Sequence, residues 1–406
     1  MKTDILIIGA GPAGTVAGAY LNKRGFKVVI IEKTKFPRFV IGESLLPISM
    51  EHFKEVDFLE CLEKQNFEVK SGARFMRGKE VCLFDFSKKY TKGADWTWQV
   101  PRADFDKTLA DEVEKRGVEI LYEHEVVGVS FNKDYSSVTK FRDKKGNVKE
   151  ISARFIVDAS GYGQVLPRLL DLEVPSTLPK HSSIFTHLKD IKRPHGKEGT
   201  LISFDIVKPD VWLWVIPFSN GTTSIGFVGT TEFINSYKGT NEEVLREMLK
   251  MSDYYYDRFK DVAFSFEPHK IQNFSKASKQ LYGNGYVLTG NSAEFLDPVF
   301  SSGVAFATKS SLLAAKLIDK TLKGEQVNWE KDYTEHIKKG VDVFKSYINE
   351  WYNTNLQKLF FHRPENPEVK EKICAVLAGY VWDETNPFVK KHNRAVASMA
   401  HMLGSE

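Results

Sequence analysis

The chain opens on an unbroken apolar run, Asp4 to Ile8, then glycines, then an alanine-rich amphipathic stretch from Pro12 to Lys23. A short continuous apolar run is what a parallel strand buried on both faces requires. Gly25 ends the predicted helix, and a second apolar run, Lys27 to Ile31, finishes on Glu32. Together these predict a βαβ unit. Helical periodicity follows from about Pro47 to Lys64 and over 103–116, where Gly117 is the stop. Strand-like pieces lie between them, at 67–75 and near Val81 to Phe86. Alternation returns from Val118 to Phe131 and predicts strands. A hairpin is expected with strands near 137–142 and 147–152 around the turn 143–147. Residues 154–158 then read as a further buried strand, closed by Ala159-Ser160-Gly161.

From about 181 to 231 apolar and polar positions alternate through several short strands, the pattern of an antiparallel sheet. One more buried run stands at 285–289, and from Gly303 the pattern is mostly helical. The buried-type strands therefore bracket the alternating region, which reads as an insertion into an α/β nucleotide-type domain. The expected division is 1–60, 96–175 and 270–325 for that domain, 61–95 and 176–269 for the inserted sheet, and 326–406 for a helical tail.

Composition narrows the function classes. The chain has 406 residues, enough for two closely packed units. Its 57 basic and 53 acidic residues leave a net charge of +4, so composition gives no polyanion-binding character and no nucleic-acid partner is expected. Three distant cysteines without CxxC or Cys/His spacing predict neither a disulfide framework nor a metal site. No run of about 18 apolar residues exists to span a membrane. The apolar run Ile5 to Ile8 is too short for a signal-peptide core. A cytoplasmic protein is the expectation.

The chemistry begins at Gly9-Ala10-Gly11-Pro12-Ala13-Gly14, placed between a strand and a helix, with Glu32 at the end of the second strand. Gly9 permits the tight turn, Gly11 lets backbone approach a pyrophosphate, and Gly14 lets helix and strand pack closely. The helix N-terminus offers N–H groups and positive dipole to phosphates. Glu32 suits a ribose 2′-hydroxyl, and Lys33 beside it is counted with the cofactor site. A second strand-ending turn carries Asp158 and Gly161. A third segment, Gly290-Asn291 followed by Asp297-Pro298-Val299-Phe300-Ser301-Ser302-Gly303, leads into another helix N-terminus, a place for an anion or a ring edge. No second dinucleotide fingerprint occurs, so a built-in nicotinamide domain is not expected.

In combination these motifs resemble the flavoprotein monooxygenase superfamily built on the glutathione-reductase-type, Rossmann-like FAD domain. The resemblance implies FAD as cofactor. It also implies that Arg102 (in PRADFD), Asp158, Gly290, Asn291, Asp297, Pro298 and Gly303 lie around it. The family's Gly-Asp is here Gly290-Asn291, and an amide still accepts from a ribityl hydroxyl while also donating.

Two further segments point to one branch. Trp212-Leu213-Trp214-Val215-Ile216-Pro217 places two tryptophans on one strand face and resembles the W-x-W-x-I-P motif of flavin-dependent halogenases. The stretches Phe39 to Pro47 and Phe67 to Phe75 resemble the segments flanking the halogenase lysine, which would be Lys70. Phenol- and pyrrole-type halogenases fit this spacing best. The resemblance implies that reduced FAD and O2 oxidise a halide resting on N–H groups around Ser302 and Gly303. Hypohalous acid then travels past Trp212, Trp214 and Pro217 to Lys70, which delivers electrophilic halogen to an electron-rich aromatic substrate, free or carrier-tethered. A separate flavin reductase is the implied electron source. Geranylgeranyl reductases, which carry a similar aromatic-x-Trp-x-Phe-Pro motif, are the alternative, and aromatic hydroxylases a third. A redox-sensing flavoprotein would keep the FAD motifs without needing Lys70.

Overall fold

The computed structural model describes residues 1–273 and 275–403; Phe274 and residues 404–406 of the expected ranges lie outside them. Two sheets organise the chain. In the first, five parallel segments stand in the order Tyr286–Leu288, Val148–Asp158, Lys2–Ile8, Val28–Glu32 and Glu119–Tyr122. Ile5, Leu6, Ile7 and Ile30 are fully buried, as strands covered on both faces require. The helix Pro12–Lys23 lies on this sheet, and at Gly14 an added Cβ would stand 1.9 Å from the Gly9 carbonyl oxygen. Only glycine allows that approach.

The second sheet has seven strands: His269–Gln272, His181–Lys189, Thr222–Thr230, Val211–Pro217, Ile202–Lys208, Gly72–Arg77 and Glu80–Asp85. It is antiparallel except where Ile202–Lys208 pairs in parallel with Gly72–Arg77, the joint between its two sequence-distant parts. The α/β class, the antiparallel second sheet and the helical C-terminal region are those read from the sequence. The helices Gly303–Leu322, His336–Tyr352, Asn355–Phe361, Pro367–Leu377 and His392–Leu403 make up most of the last hundred residues.

Local expectations need two corrections. The helix expected from Pro47 to Lys64 is two, Ile48–Glu55 and Leu59–Glu63, because Asp57 takes a left-handed φ of 58° that ends the first. The alternating stretch 118–131 forms the strands Glu119–Tyr122 and Glu125–Phe131, parted at Glu123 with φ 63°. Conversely, 147–152 and 154–158 form one strand, Val148–Asp158. Its first half pairs with the hairpin strand Ser137–Arg142, and most of its length runs parallel to Lys2–Ile8. The cysteines Cys61, Cys82 and Cys374 are free, and among the described residues no helix is long and apolar enough to cross a membrane.

Candidate active site

One large cavity runs from the glycine turn of the first sheet to the tryptophan strand of the second. Gly9, Gly11, Pro12, Ala13, Glu32 and Lys33 line one end, and Arg102, Gly161 and Asn291 continue the wall. Pro298, Ser302 and Gly303 bring it to Trp212, Trp214 and Ile216. Gly14, Lys70, Asp158, Pro217, Gly290 and Asp297 do not reach this wall.

The glycine turn suits a pyrophosphate. Gly11 is the N-cap of the first helix and no side chain caps it. A Cβ there would meet only the Arg38 guanidinium, at 3.6 Å. Arg38 Nη1 is buried without an aligned hydrogen-bond partner, although Asp106 Oδ2 lies 3.1 Å away. A cation with spare donor capacity beside free helix N–H groups fits a diphosphate. Glu32 Oε2 accepts from Ala10 N at 2.9 Å, and its Oε1 accepts from Thr34 N and Oγ1 at 3.0 and 2.6 Å. These contacts fix the carboxylate at the cavity edge. Lys33 turns to Glu125, at 2.7 Å.

Several expected cofactor residues also fix their neighbours. Arg102 donates from Nε and Nη2 to both oxygens of Asp106, at 2.8 and 3.0 Å, and from Nη1 to the carbonyls of Ile41 and Gly42, both at 3.1 Å. It thereby holds the segment Arg38–Ser44 against the cavity. Asp158 is fully buried; its carboxylate accepts from Ser160 N at 2.9 Å and Leu166 N at 2.6 Å, while its carbonyl accepts from Thr289 Oγ1 and Ser292 Oγ. It shapes the turn that sets Gly161 on the wall and ties it to the Gly290 turn. Burial pushes its carboxyl above the usual range. Gly290 has φ 55° and its N–H donates to Ser310 Oγ at 2.8 Å. Pro217 contributes its carbonyl to Gln99 Nε2, at 3.1 Å.

At the start of the long helix Gly303–Leu322, Ser301 adopts φ 55°, Ser302 is buried, and no side chain caps the helix. A Cβ on Gly303 would meet nothing within 4 Å. The uncapped N–H groups therefore border open cavity, where an anion can rest. Opposite, the strand Val211–Pro217 is buried on both faces: Trp212, Trp214 and Ile216 look to the cavity, while Leu213 and Val215 belong to the core beneath the helix Asn241–Leu249. The indole N–H of Trp214 donates to Ser224 Oγ at 3.1 Å, and that of Trp212 to the Tyr352 hydroxyl at 3.3 Å.

Lys70 ends the strand Glu68–Lys70, which pairs with Thr97–Gln99. It is 2% exposed. Its Nζ donates to the Leu45 carbonyl at 2.8 Å and stands 5.5 Å from the centre of the Phe86 ring. Burial pushes the ammonium down to about 7. A neutral amine at physiological pH is a nucleophile and an acceptor as well as a donor. The amine sits behind the cavity wall, one residue past the wall residue Ser44.

Other functional candidates had no local sequence signal. Glu43 and His187 pair at 2.6 Å on the cavity's aromatic side, and Tyr352 meets Asp297 across 55 residues of chain. Such pairings belong to the tertiary fold alone.

Against known proteins, residues 2–336 match the family model described as FAD binding domain. The chain is 28% identical over 93% of its length, and 89% of the relative's, to the 1H-pyrrole-2-carbonyl-(peptidyl-carrier protein) chlorinase of Pseudomonas fluorescens. It is 52% identical over the full length of both chains, with TM-score 0.98, to a solved flavoprotein/dehydrogenase from Cytophaga hutchinsonii. The flavin-dependent brominase Bmp2 shares the fold at 24% identity and TM-score 0.86, over 99% of this chain and all of that one.

Proposed function

We propose, from the premise that this chain belongs to the FAD-dependent, halogenase-like family of flavoproteins, that it transfers an electrophilic halogen to an electron-rich aromatic ring of the phenol or pyrrole type. The observation that carries this reading is Lys70, a buried amine that donates to the Leu45 carbonyl directly behind a cavity that begins at the cofactor turn, where burial pushes it down to about 7. FAD is the cofactor; when bound and reduced it supplies, with O2, the oxidising equivalent that turns halide into hypohalous acid.

The chain's own residues do the rest. The glycine turn and Arg38 would hold the diphosphate, and Glu32 would orient the ribose. Asn291 and Pro298 would bound the ring end, with Asp158, Gly290 and Asp297 shaping those turns from behind. The N–H groups at Ser302 and Gly303 hold halide without a side-chain cation. Trp212 and Trp214 form an apolar wall that keeps an organic substrate off the cofactor. Lys70 would hold hypohalous acid by hydrogen bond, or its neutral amine would take the halogen from it, breaking the O–halogen bond and releasing water, and present it to the ring.

The Pseudomonas relative, by its name, acts on a carrier-bound pyrrole, which supports testing carrier-tethered substrates here. A separate flavin reductase supplies electrons in this reading, because only one dinucleotide fingerprint is present. The test is to supply reduced FAD, O2 and bromide with a panel of phenols and pyrroles and to analyse products by mass spectrometry. Brominated product with the wild type and none with Lys70→Ala is the expected result. Equal turnover by the two, on any substrate, overturns the reading in favour of a dehydrogenase or hydroxylase, neither of which needs this amine.

A further inference from the structure

The strand Val211–Pro217 carries two tryptophans on one face, yet the sheet holds them in different ways. Phe185, Gly226, Trp214, Phe204 and Phe75 stand abreast on five neighbouring strands of the second sheet. Residues opposite one another on paired strands share a face, so four aromatic side chains and one bare Cα occupy a single row. The Trp214 indole fills the gap that the glycine leaves. A Cβ on Gly226 would stand 2.4 and 2.5 Å from Trp214 Cζ2 and Cη2, and 2.4 Å from Phe185 Cβ. The indole N–H donates to Ser224 Oγ at 3.1 Å, and Ser224 lies two residues before Gly226 on the same strand and face. The indole is therefore held down on the neighbouring strand, between a hydroxyl and a glycine. Trp212 has no such slot. The residue opposite it is Val228, and its N–H goes to the Tyr352 hydroxyl.

We infer that Gly226 and Ser224 are positioning residues for the seat of the cofactor's ring: they keep the Trp214 indole down on the sheet, and so keep open the end of the cavity that the ring takes. The row fixes the direction in which the indole moves when that hold is lost. Pushed off Gly226, it is blocked on one side by Phe204, directly opposite on the next strand. On the other side stands Phe185, with ring centres 5.8 Å apart. Close-packed interiors have no spare volume to absorb an indole. What remains is the cavity, which Trp214 already lines together with Pro298, Ser302 and Gly303. The glycine turn and Glu32, at the opposite end, are out of its reach. The inference rests on the placement of the ring end given above and makes no use of the halogen chemistry of Lys70.

FAD and ADP separate the two ends of the cavity, because ADP carries the ribose and diphosphate without the flavin ring. Affinities for both would be titrated on the full-length chain by calorimetry. Gly226→Ala is expected to weaken FAD by about tenfold, a loss confined to the ring end, and to leave ADP unchanged. Adding Trp214→Leu to Gly226→Ala removes the displaced indole and should return FAD affinity to that of Trp214→Leu alone. Ser224→Ala frees the indole N–H without adding bulk, and should weaken FAD by a smaller factor, again with ADP unchanged. If Gly226→Ala fails to fold, Ser224→Ala decides. Wild-type FAD affinity in these variants, a parallel fall for ADP, or a loss that Trp214→Leu does not recover overturns the inference. The readings above fail by other results. Wild-type ADP binding by Gly11→Val would take the diphosphate away from the glycine turn, and undiminished halogenation by Lys70→Ala would sink the function while leaving the FAD and ADP affinities as they are.

Discussion

The Tyr352 hydroxyl donates a 2.9 Å hydrogen bond to Asp297 Oδ2, joining the last residue of the helix His336–Tyr352 to the turn that leads into the predicted halide site. The other oxygen of Asp297 accepts from Val299 N at 3.0 Å, so the same carboxylate sets the path of the turn. His181 stacks on Tyr352 with ring centres 4.1 Å apart, and its Nδ1 lies 3.2 Å from Asp297 Oδ2. Because Tyr352 also receives the Trp212 indole N–H, one buried hydroxyl couples the helical region, the tryptophan strand and the cofactor loop. Burial and the neighbouring carboxylate push the phenol well above its ordinary range, which keeps it a donor.

Tyr352→Phe removes that donor and leaves both Asp297 and Trp212 short of a partner. The expected cost is about 1–3 kcal/mol of stability. FAD affinity, titrated by quenching of flavin fluorescence, should fall several-fold, because the turn that carries Pro298 and Gly303 loses its anchor. Affinity equal to the wild type would show that the turn is held without Tyr352.

The two glycines of the cofactor turn should fail differently. A Cβ at Gly14 collides with the Gly9 carbonyl at 1.9 Å, whereas one at Gly11 meets only Arg38 at 3.6 Å. Gly14→Val should therefore lower thermal stability markedly, and Gly11→Val should melt close to the wild type yet bind no FAD, since its side chain occupies the diphosphate's place. Calorimetry and flavin content together check this, and a Gly11→Val protein that retains FAD would remove the turn from the site.

The cofactor half of the molecule was legible because its signals are local. A glycine turn between strand and helix, with Glu32 closing the next strand, dictates both the fold and the diphosphate end. The tryptophan strand was legible for the same reason, since period-two alternation names its faces. For Asp158 and Asp297 the motif marks the position, but only the fold reveals that their carboxylates accept from backbone N–H groups of the turns behind the wall. The strand Val148–Asp158 was read as two because its pairing partner changes along its length while its backbone does not. Tyr352 carries no pattern at all; it acquires meaning when strands and helices far apart in sequence meet.

The electron source is open to a direct test. Mixing the FAD-loaded protein with NADH or NADPH under nitrogen should leave the flavin absorbance near 450 nm unchanged for minutes, and adding a flavin reductase should bleach it. Rapid bleaching by either nucleotide alone would favour a hydroxylase or sensor.

Lys70 makes a prediction about stability that needs no substrate. Its folded value is pushed by desolvation from the ordinary 10.5 to about 7. Between these values the unfolded chain holds a proton at this site that the native protein does not, so the contribution of Lys70 to stability rises with pH across that window and is flat below it. Below pH 7 the native state carries a buried charge, at a cost on the order of a few kcal/mol. Lys70→Met, similar in length and without charge, should therefore be more stable than the wild type at pH 6 to 7, and the gap should close as pH approaches 10. Denaturant midpoints measured at matched pH values decide the point. A gap that stays constant from pH 6 to 9.5 would mean that the native amine keeps its proton. An amine protonated throughout that range could hold the electrophile only by donating a hydrogen bond and could not form the N–halogen bond.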